Sequence, residues 1–126
     1  MSNTAIHTPI APAAIGPSSQ ALEAGSPIYV SGLLPIAPAT GAFAGNDIAS
    51  QTRQSLTNIK NILAEAGTDM SSVVKTTVML ADIADFAAMN AVYAEFFSAP
   101  YPARAAYQVA CLPKNALVEI ECVAVK

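Results

Sequence analysis

The stretch from Pro100 to Lys126 constrains the chain most. It reads as two strands around a turn at Leu112-Pro113-Lys114-Asn115. Side chains alternate faces along a strand. On the first strand Ala105, Tyr107, Val109 and Cys111 therefore share one face, and Arg104, Ala106, Gln108 and Ala110 the other. On the second, Val118, Ile120, Cys122 and Ala124 share an apolar face opposite Leu117, Glu119, Glu121, Val123 and Val125. If the two apolar faces pack on one core, Arg104, Ala106, Glu119 and Glu121 meet on the far side of the sheet. That side also carries Leu117, Val123 and Val125, so it is not an ordinary wet face. A few charges among apolar residues predict a second burial event with a polar pocket in it.

The totals support a second burial event. Charged residues make up 12% of the 126 and hydrophobic ones 53%, whereas an average soluble domain is about 25% charged. A chain this size fits one domain spanning residues 1–126. A monomer that small has little charged surface with which to cover its apolar residues. We therefore expect a homo-oligomer that buries a sheet face between subunits; the competing reading is a monomer whose apolar count is inflated by alanine. The net charge is −3, and the four lysines and two arginines do not cluster. This argues against a nucleic-acid partner, which needs a basic stripe. No apolar run approaches the length of a membrane span, and Met1 to Ile10 lacks the basic start and apolar stretch of a signal peptide. The expected compartment is the cytoplasm, with Cys111 and Cys122 as reduced, buried thiols.

In chain order, residues 1–19 are rich in Pro, Ser and Thr and read as loop, with a short edge strand near Thr4–His7. The chain enters a strand around Gln20–Glu23, turns at Gly25-Ser26-Pro27, and continues as the strand Ile28–Ser31. Gly32 marks a bend or a close backbone approach. Pro35 to Gly45 reads as a surface loop. Ile48, Thr52, Leu56, Ile59, Leu63 and Ala66 recur at helical spacing, with Asn46 or Asp47 as cap and Gly67 as stop, which predicts a helix over 47–66. A strand over 71–80 follows. Asp82 then opens a second helix with Phe86, Met89, Asn90, Tyr93, Phe96 and Phe97 along one side, ended by Pro100 and Pro102. Two helices cover only one face of such a sheet.

Several chemistries drop out. The one histidine, His7, lies in the loop-rich N-terminal stretch, and no His/Cys/acid spacing matches a zinc site. There is no P-loop, dinucleotide fingerprint or Gly-x-Ser-x-Gly elbow. We expect no metal and no cofactor. What remains is Arg104, suited to gripping a carboxylate in two parallel hydrogen bonds; Glu119, a candidate general acid/base; and Ser31 before Gly32, a candidate hydrogen-bonding group. Each has a plainer alternative. Arg104 would serve in an ion pair with Glu119, Glu121 or another acid, Glu119 and Glu121 in an interface salt bridge, and Ser31 as an ordinary strand-end serine. The Tyr93/Phe96/Phe97 group reads as core.

Six segments, taken together and in order, resemble one family: Ala11-Pro12-Ala13-Ala14-Ile15-Gly16-Pro17, Val30-Ser31-Gly32-Leu33-Leu34-Pro35, Gln51-Thr52-Arg53-Gln54, Val74-Lys75-Thr76-Thr77-Val78, Tyr101-Pro102-Ala103-Arg104 and Val118-Glu119-Ile120-Glu121. They look like the Rid family of reactive-intermediate (imine/enamine) deaminases, also called L-PSP endoribonuclease-like proteins. The resemblance implies an α+β, chorismate-mutase-like fold: a mixed six-stranded sheet with two helices on one face and the other face buried in a homotrimer. It also implies sites in the clefts between subunits and cofactor-free hydrolysis of 2-imino acids, such as 2-iminopropanoate and 2-iminobutanoate, to 2-oxo acids and ammonia. By the same resemblance Arg104 binds the substrate carboxylate with help from the backbone at Ala106. Glu119 orients or activates water, and Ser31 and Gly32 line the pocket.

The chain departs from the family's pattern at three places. Ser18 stands where the family usually has Tyr, Leu33 where it often has Gln, and Ala106 where it often has Cys. The first two remove an aromatic wall and an amide from the implied pocket, so they bear on substrate range. The competing functions are a non-catalytic ligand-binding or chaperone-like trimer, and an RNA-cleaving translation inhibitor, the latter opposed by the acidic isoelectric point of about 4.8.

Overall fold

Helix α1 (Ile48–Glu65) is the most regular element of the computed structural model, which describes residues 3–126. Asp47 caps it by accepting from the Ser50 N–H. Its end is fixed by two reversed hydrogen bonds, Gly67 N–H to Ala64 C=O (3.0 Å) and Thr68 N–H to Leu63 C=O (2.9 Å). That pattern requires a left-handed residue after the helix, and Gly67 supplies it at φ +84°. Leu56, Ile59, Ile62 and Leu63 are fully buried on the inner face of α1.

Eight strands accompany it: β1 (Thr4–Ile6), β2 (Ala21–Glu23), β3 (Pro27–Leu33), β4 (Ile36–Ala37), β5 (Ala42–Phe43), β6 (Val73–Leu80), β7 (Ala103–Gln108) and β8 (Val118–Val125). Six form a mixed sheet in the order β1-β2-β3-β8-β6-β7, while β4 and β5 pair separately. All pairings in the large sheet are antiparallel except β6 with β7, which is parallel. The second helix, α2 (Phe86–Tyr93), lies in the crossover between these two strands and follows a short 3₁₀ turn (Ile83–Asp85) that Asp82 caps at the Ala84 N–H. The core is shared by α1, α2 and one face of the sheet, where Ile28, Val78, Leu80, Val118, Ile120 and Ala124 are fully buried. Among the described residues no helix is long and apolar enough to cross a membrane.

Three expectations need correction. First, β7 and β8 are not a hairpin, because β6 lies between them. The intervening chain bends through a 3₁₀ turn (Pro113–Asn115) with Lys114 and Asn115 both at positive φ. Second, Pro35–Gly45 is not all loop but holds the β4–β5 ribbon. Third, Cys111 is exposed and only Cys122 is buried, both as free thiols. The strand over 71–80 begins as a 3₁₀ turn (Met70–Ser72), and a register shift between Val73 and Lys75 buries Val73 and leaves Val74 48% exposed. Strict alternation cannot foresee such a shift.

Helix α1 also buries one polar atom without a partner, the Thr52 hydroxyl. A buried hydroxyl that makes no hydrogen bond carries its full desolvation cost. Thr52→Val is therefore expected to stabilise the fold by about 1 kcal/mol, read as a rise in the denaturant midpoint at unchanged slope; a lowered midpoint would refute it.

Candidate active site

Strand β3 leaves its register against β8 at one point. Val30 faces Cys122 and Leu33 faces Ile120, so three steps on β3 span two on β8. The extra residue is a bulge at Ser31–Gly32, a device that locally bends a strand and re-aims side chains. Here it brings Gly32 against Glu119. A Cβ at residue 32 would overlap Glu119 Oε2 and lie 3.0 Å from its carboxyl carbon. The space for the carboxylate therefore exists because residue 32 is glycine.

Beside this carboxylate is a cavity of about 340 Å³, lined by Ser18, Ser31, Gly32, Leu33 and Glu119 together with the Pro12–Ile15 segment, Leu34, Ile36 and Pro113. The Ser31 hydroxyl donates to the Ser19 carbonyl (2.6 Å), which leaves its lone pairs as acceptors toward the cavity. Burial pushes the Glu119 carboxyl above the usual carboxylate range, and the neighbouring Glu121 adds to the shift. Leu33 contributes to the lining but is only 4% exposed. It is chiefly a core residue whose carbonyl accepts from the Ser55 hydroxyl (3.0 Å).

The Pro12–Ile15 segment is anchored by a residue that the sequence did not single out. Gln20, 5% exposed, accepts from the Thr8 N–H (2.7 Å). Its amide nitrogen donates to the carbonyls of Thr8, Ala11 and Pro12 at 3.1, 3.3 and 2.7 Å. From sequence a glutamine beside two serines gives no sign of this, since its partners are 8 to 12 positions away.

Arg104 lies elsewhere. The register pairs Thr76 with Arg104 and Val78 with Ala106 across β6 and β7. Thr76 and Val78 are buried toward the helices, so Arg104 and Ala106 share the helix face. Glu119 pairs with Met79 on the opposite face. The expectation that Arg104, Ala106 and Glu119 share one face is therefore overturned. Its physical reason is the intervening β6: without a hairpin turn, nothing in the sequence relates the alternation of β7 to that of β8. Tyr107, expected on the core face, is 47% exposed on the open one.

The Arg104 guanidinium is held by α2. It donates to Asn90 Oδ1 (2.7 Å) and lies 4.7 Å from the Tyr93 ring centroid and 5.4 Å from that of Phe86, both within cation–π range. Phe86, Asn90 and Tyr93 fall at i, i+4 and i+7, so a single helix face presents all three. The Tyr93 hydroxyl is hydrogen-bonded to Thr76 (2.7 Å), which fixes its ring. Among the described residues neither Arg104 nor Glu119 enters an ion pair, the two pairs found being Arg53–Glu95 and Lys126–Glu23. Arg104 thus has no acidic partner within its own chain among the described residues. At β7 the Val109 N–H donates to the Leu80 carbonyl (2.9 Å). Counting back by alternation, the peptide groups of Ala106 and Arg104 face the free edge of the sheet.

The chain thus carries two candidate half-sites: an acid with an acceptor hydroxyl at the β3–β8 bulge, and a guanidinium with free backbone groups at the β7 edge. Across the sheet Glu119 is two strands from β7, about 10 Å, and Arg104 lies three residues further along that strand and on the opposite face. Comparison with known proteins bears on what they do. A sequence model of the family described as "Endoribonuclease L-PSP" matches residues 8–126. "Reactive Intermediate Deaminase A, chloroplastic" of Arabidopsis thaliana is 53% identical over 119 residues, covering 94% of this chain and 64% of that relative's length. "2-iminobutanoate/2-iminopropanoate deaminase" of Capra hircus is 53% identical over 121 residues, 96% of this chain and 88% of its own. Among solved structures, E. coli TdcF with bound serine superposes with a TM-score of 0.93 at 43% identity, over 98% of each chain.

The raised carboxyl of Glu119 gives a pH signature. Its folded-state pKa lies above its unfolded value, so its contribution to stability is fully present below the unfolded pKa and is lost as pH rises through the folded one. Ionised Glu119 is thus a cost at neutral pH. Glu119→Gln is expected to melt higher than wild type near pH 7, with the gap closing as pH falls to about 4; a gap constant across thermal melts in that range would contradict the shift.

Proposed function

Since the chain belongs to the Endoribonuclease L-PSP family, the Rid proteins, we propose that it is a hydrolytic deaminase that converts 2-imino acids, the products of enamine tautomerisation, to 2-oxo acids and ammonia. The observation that carries this reading is the pairing of a caged, unpaired guanidinium with an acid of raised pKa on one small chain. The names of its deaminase relatives point the same way, as does the amino acid bound to a related fold.

The reaction asks for little. A protonated imine is already electrophilic at C2. Arg104 grips the substrate carboxylate in two parallel hydrogen bonds, the outward peptide group of Ala106 adds a contact at the same edge, and the α2 cage holds the guanidinium in place. Glu119, as carboxylate, takes a proton from water while the oxygen bonds to C2. The resulting carbinolamine carries the amine on the same carbon. Glu119 returns the proton to that nitrogen, the C–N bond breaks with its electron pair leaving as ammonia, and the freed Glu119 carboxylate takes the hydroxyl proton as the C=O of the 2-oxo acid forms, passing it on to water. A pKa above the ordinary carboxylate range brings the acid and base forms closer in availability near neutral pH, which suits a group used in both directions. The acceptor face of the Ser31 hydroxyl suits the N–H of the iminium.

Because the half-sites sit on opposite faces of the sheet, one small molecule meets both only where two chains abut. In this reading the chain works as a homotrimer, with Arg104 and Ala106 of one subunit facing Ser31, Gly32 and Glu119 of the next. The partly apolar open face supports it: Tyr29, Val125 and Tyr107 are 51%, 44% and 47% exposed there.

Arg104→Ala is expected to lower kcat/KM on 2-iminobutanoate by about a hundredfold or more, the worth of a charge-assisted bidentate contact. The variant should stay folded by circular dichroism and trimeric by sedimentation. Undiminished turnover would remove the clamp from Arg104, and a monomeric wild type would sink the shared site. Gly32→Ala is expected to lower kcat about a hundredfold, because it displaces the Glu119 carboxylate by an ångström or so; wild-type kcat in that variant would show that the bulge does not position the acid.

A further inference from the structure

The cavity beside Glu119 is polar at one end only. Away from the carboxylate its walls are Ala13, Ala14, Ile15, Leu34, Ile36 and Pro113. Several of the polar groups that border it are already engaged, while the Ser31 oxygen and the Glu119 carboxylate stay free at the polar end. The Gln20 amide is spent on Thr8, Ala11 and Pro12, the Ser19 carbonyl accepts from Ser31, and the Ser18 hydroxyl is turned to the Ile15 carbonyl at 3.4 Å. Pro12 and Pro113 have no N–H to offer. Ile15 stands at the mouth with 72% of its surface exposed, a large apolar side chain beside an apolar recess. Ser18, small and also at the mouth, leaves the width open.

We infer that this chain is tuned to 2-imino acids with bulky apolar side chains, branched aliphatic or aromatic, which the Pro12–Ile15 wall and the Leu34–Ile36 segment enclose. The inference rests on the deaminase reading and adds the substrate class to it. With the carboxylate held from the neighbouring β7 edge and C2 at Glu119, the substituent on C2 points into this recess. A cavity of about 340 Å³ lies within the size range that encloses small organic ligands, and a single methyl or ethyl substituent leaves most of it unfilled. A polar substituent loses water against these apolar walls without a side-chain partner among Ala13, Ala14, Ile15, Leu34, Ile36 and Pro113. An apolar one covers Ile15 and gains with each methylene, by about tenfold or more where the fit is close.

The experiment compares kcat/KM on imino acids generated in place by an amino-acid oxidase from alanine, leucine and phenylalanine, with uncatalysed decay subtracted. Wild type is expected to favour the leucine- or phenylalanine-derived imino acid over the alanine-derived one by at least about tenfold. Ser18→Tyr, which fills the mouth, and Ile15→Ser, which removes the apolar rim, should each shrink that ratio. Turnover of all three imino acids with no preference, or with the alanine-derived one favoured, overturns the inference and leaves the deaminase reading intact. A strong preference untouched by either substitution overturns the assignment to this wall. No turnover of any imino acid overturns the deaminase reading itself, and this inference with it.

Discussion

A single row of polar side chains on α1 holds the backbone on one side of the acid, from Leu33 to Ile36 and at Gly45 and Leu117. Gln51, Ser55 and Asn58 are buried, and each reaches across to backbone outside the helix. Asn58 donates to the carbonyls of Leu34 and Ile36 (3.2 and 2.9 Å), and Ser55 to that of Leu33. Gln51 donates to Gly45 (2.9 Å) and accepts from the Leu117 N–H (2.8 Å). Backbone groups taken out of water must be paired somewhere, and the carbonyls of Leu33, Leu34 and Ile36 are paired with the helix. The helix supplies the partners. Its apolar residues stabilise the core, while its polar ones dictate where β3 ends, where β8 begins and how the wall over Glu119 runs.

The guanidinium of Arg104 presents a different energetic problem. A charge half-withdrawn from water with no carboxylate beside it is ordinarily a liability. Here the charge is spread over two aromatic faces and one amide oxygen, all from α2. Arginine tolerates this better than lysine, because its planar, weakly hydrated head stacks on rings. The arrangement leaves the head oriented and without an anionic partner inside its own chain. The effect reaches Tyr93: burial pushes its phenol above the usual range, while the Thr76 hydrogen bond and the Arg104 charge pull it back. The ring thus remains neutral and well seated.

How much of this was legible beforehand depended on whether a local rule carried the information. Helix α1 was plain, because its spacing, its Asp47 cap and its Gly67 stop all lie within one segment. The buried face of β8 was plain for the same reason: Val118, Ile120, Cys122 and Ala124 alternate without interruption. The face of β7 was not. Two strands joined by a turn look like a hairpin in sequence, and only the placement of β6 between them reveals that Arg104 points to the helices and Glu119 away from them. Ser31, Gly32 and Glu119 were expected in one pocket only through the family resemblance; the structure brings them to one cavity, and the bulge explains why glycine is needed there. Gln20, Asn58 and the α2 cage escaped, since each works through partners distant in sequence and none has an unusual residue type. The match to a family across residues 8–126 establishes a membership that alternation could not.

Gln20 leaves one more mark on the molecule. It ties down the stretch before Ile15 wholly through main-chain carbonyls and one main-chain amide. None of the side chains from Ala13 to Ser18 helps to hold that stretch in its course, apart from the long contact of Ser18 to Ile15. Apart from Gly16, whose φ of +77° calls for glycine, and Pro17, which fixes its own φ, their identities are therefore decoupled from the fold's integrity. The loop behaves as an interchangeable cassette on a permanent mount: mutation can redraw what it presents to a visitor without endangering the scaffold that carries the acid. A small protein with almost no spare stability to trade thereby keeps one place where novelty costs little.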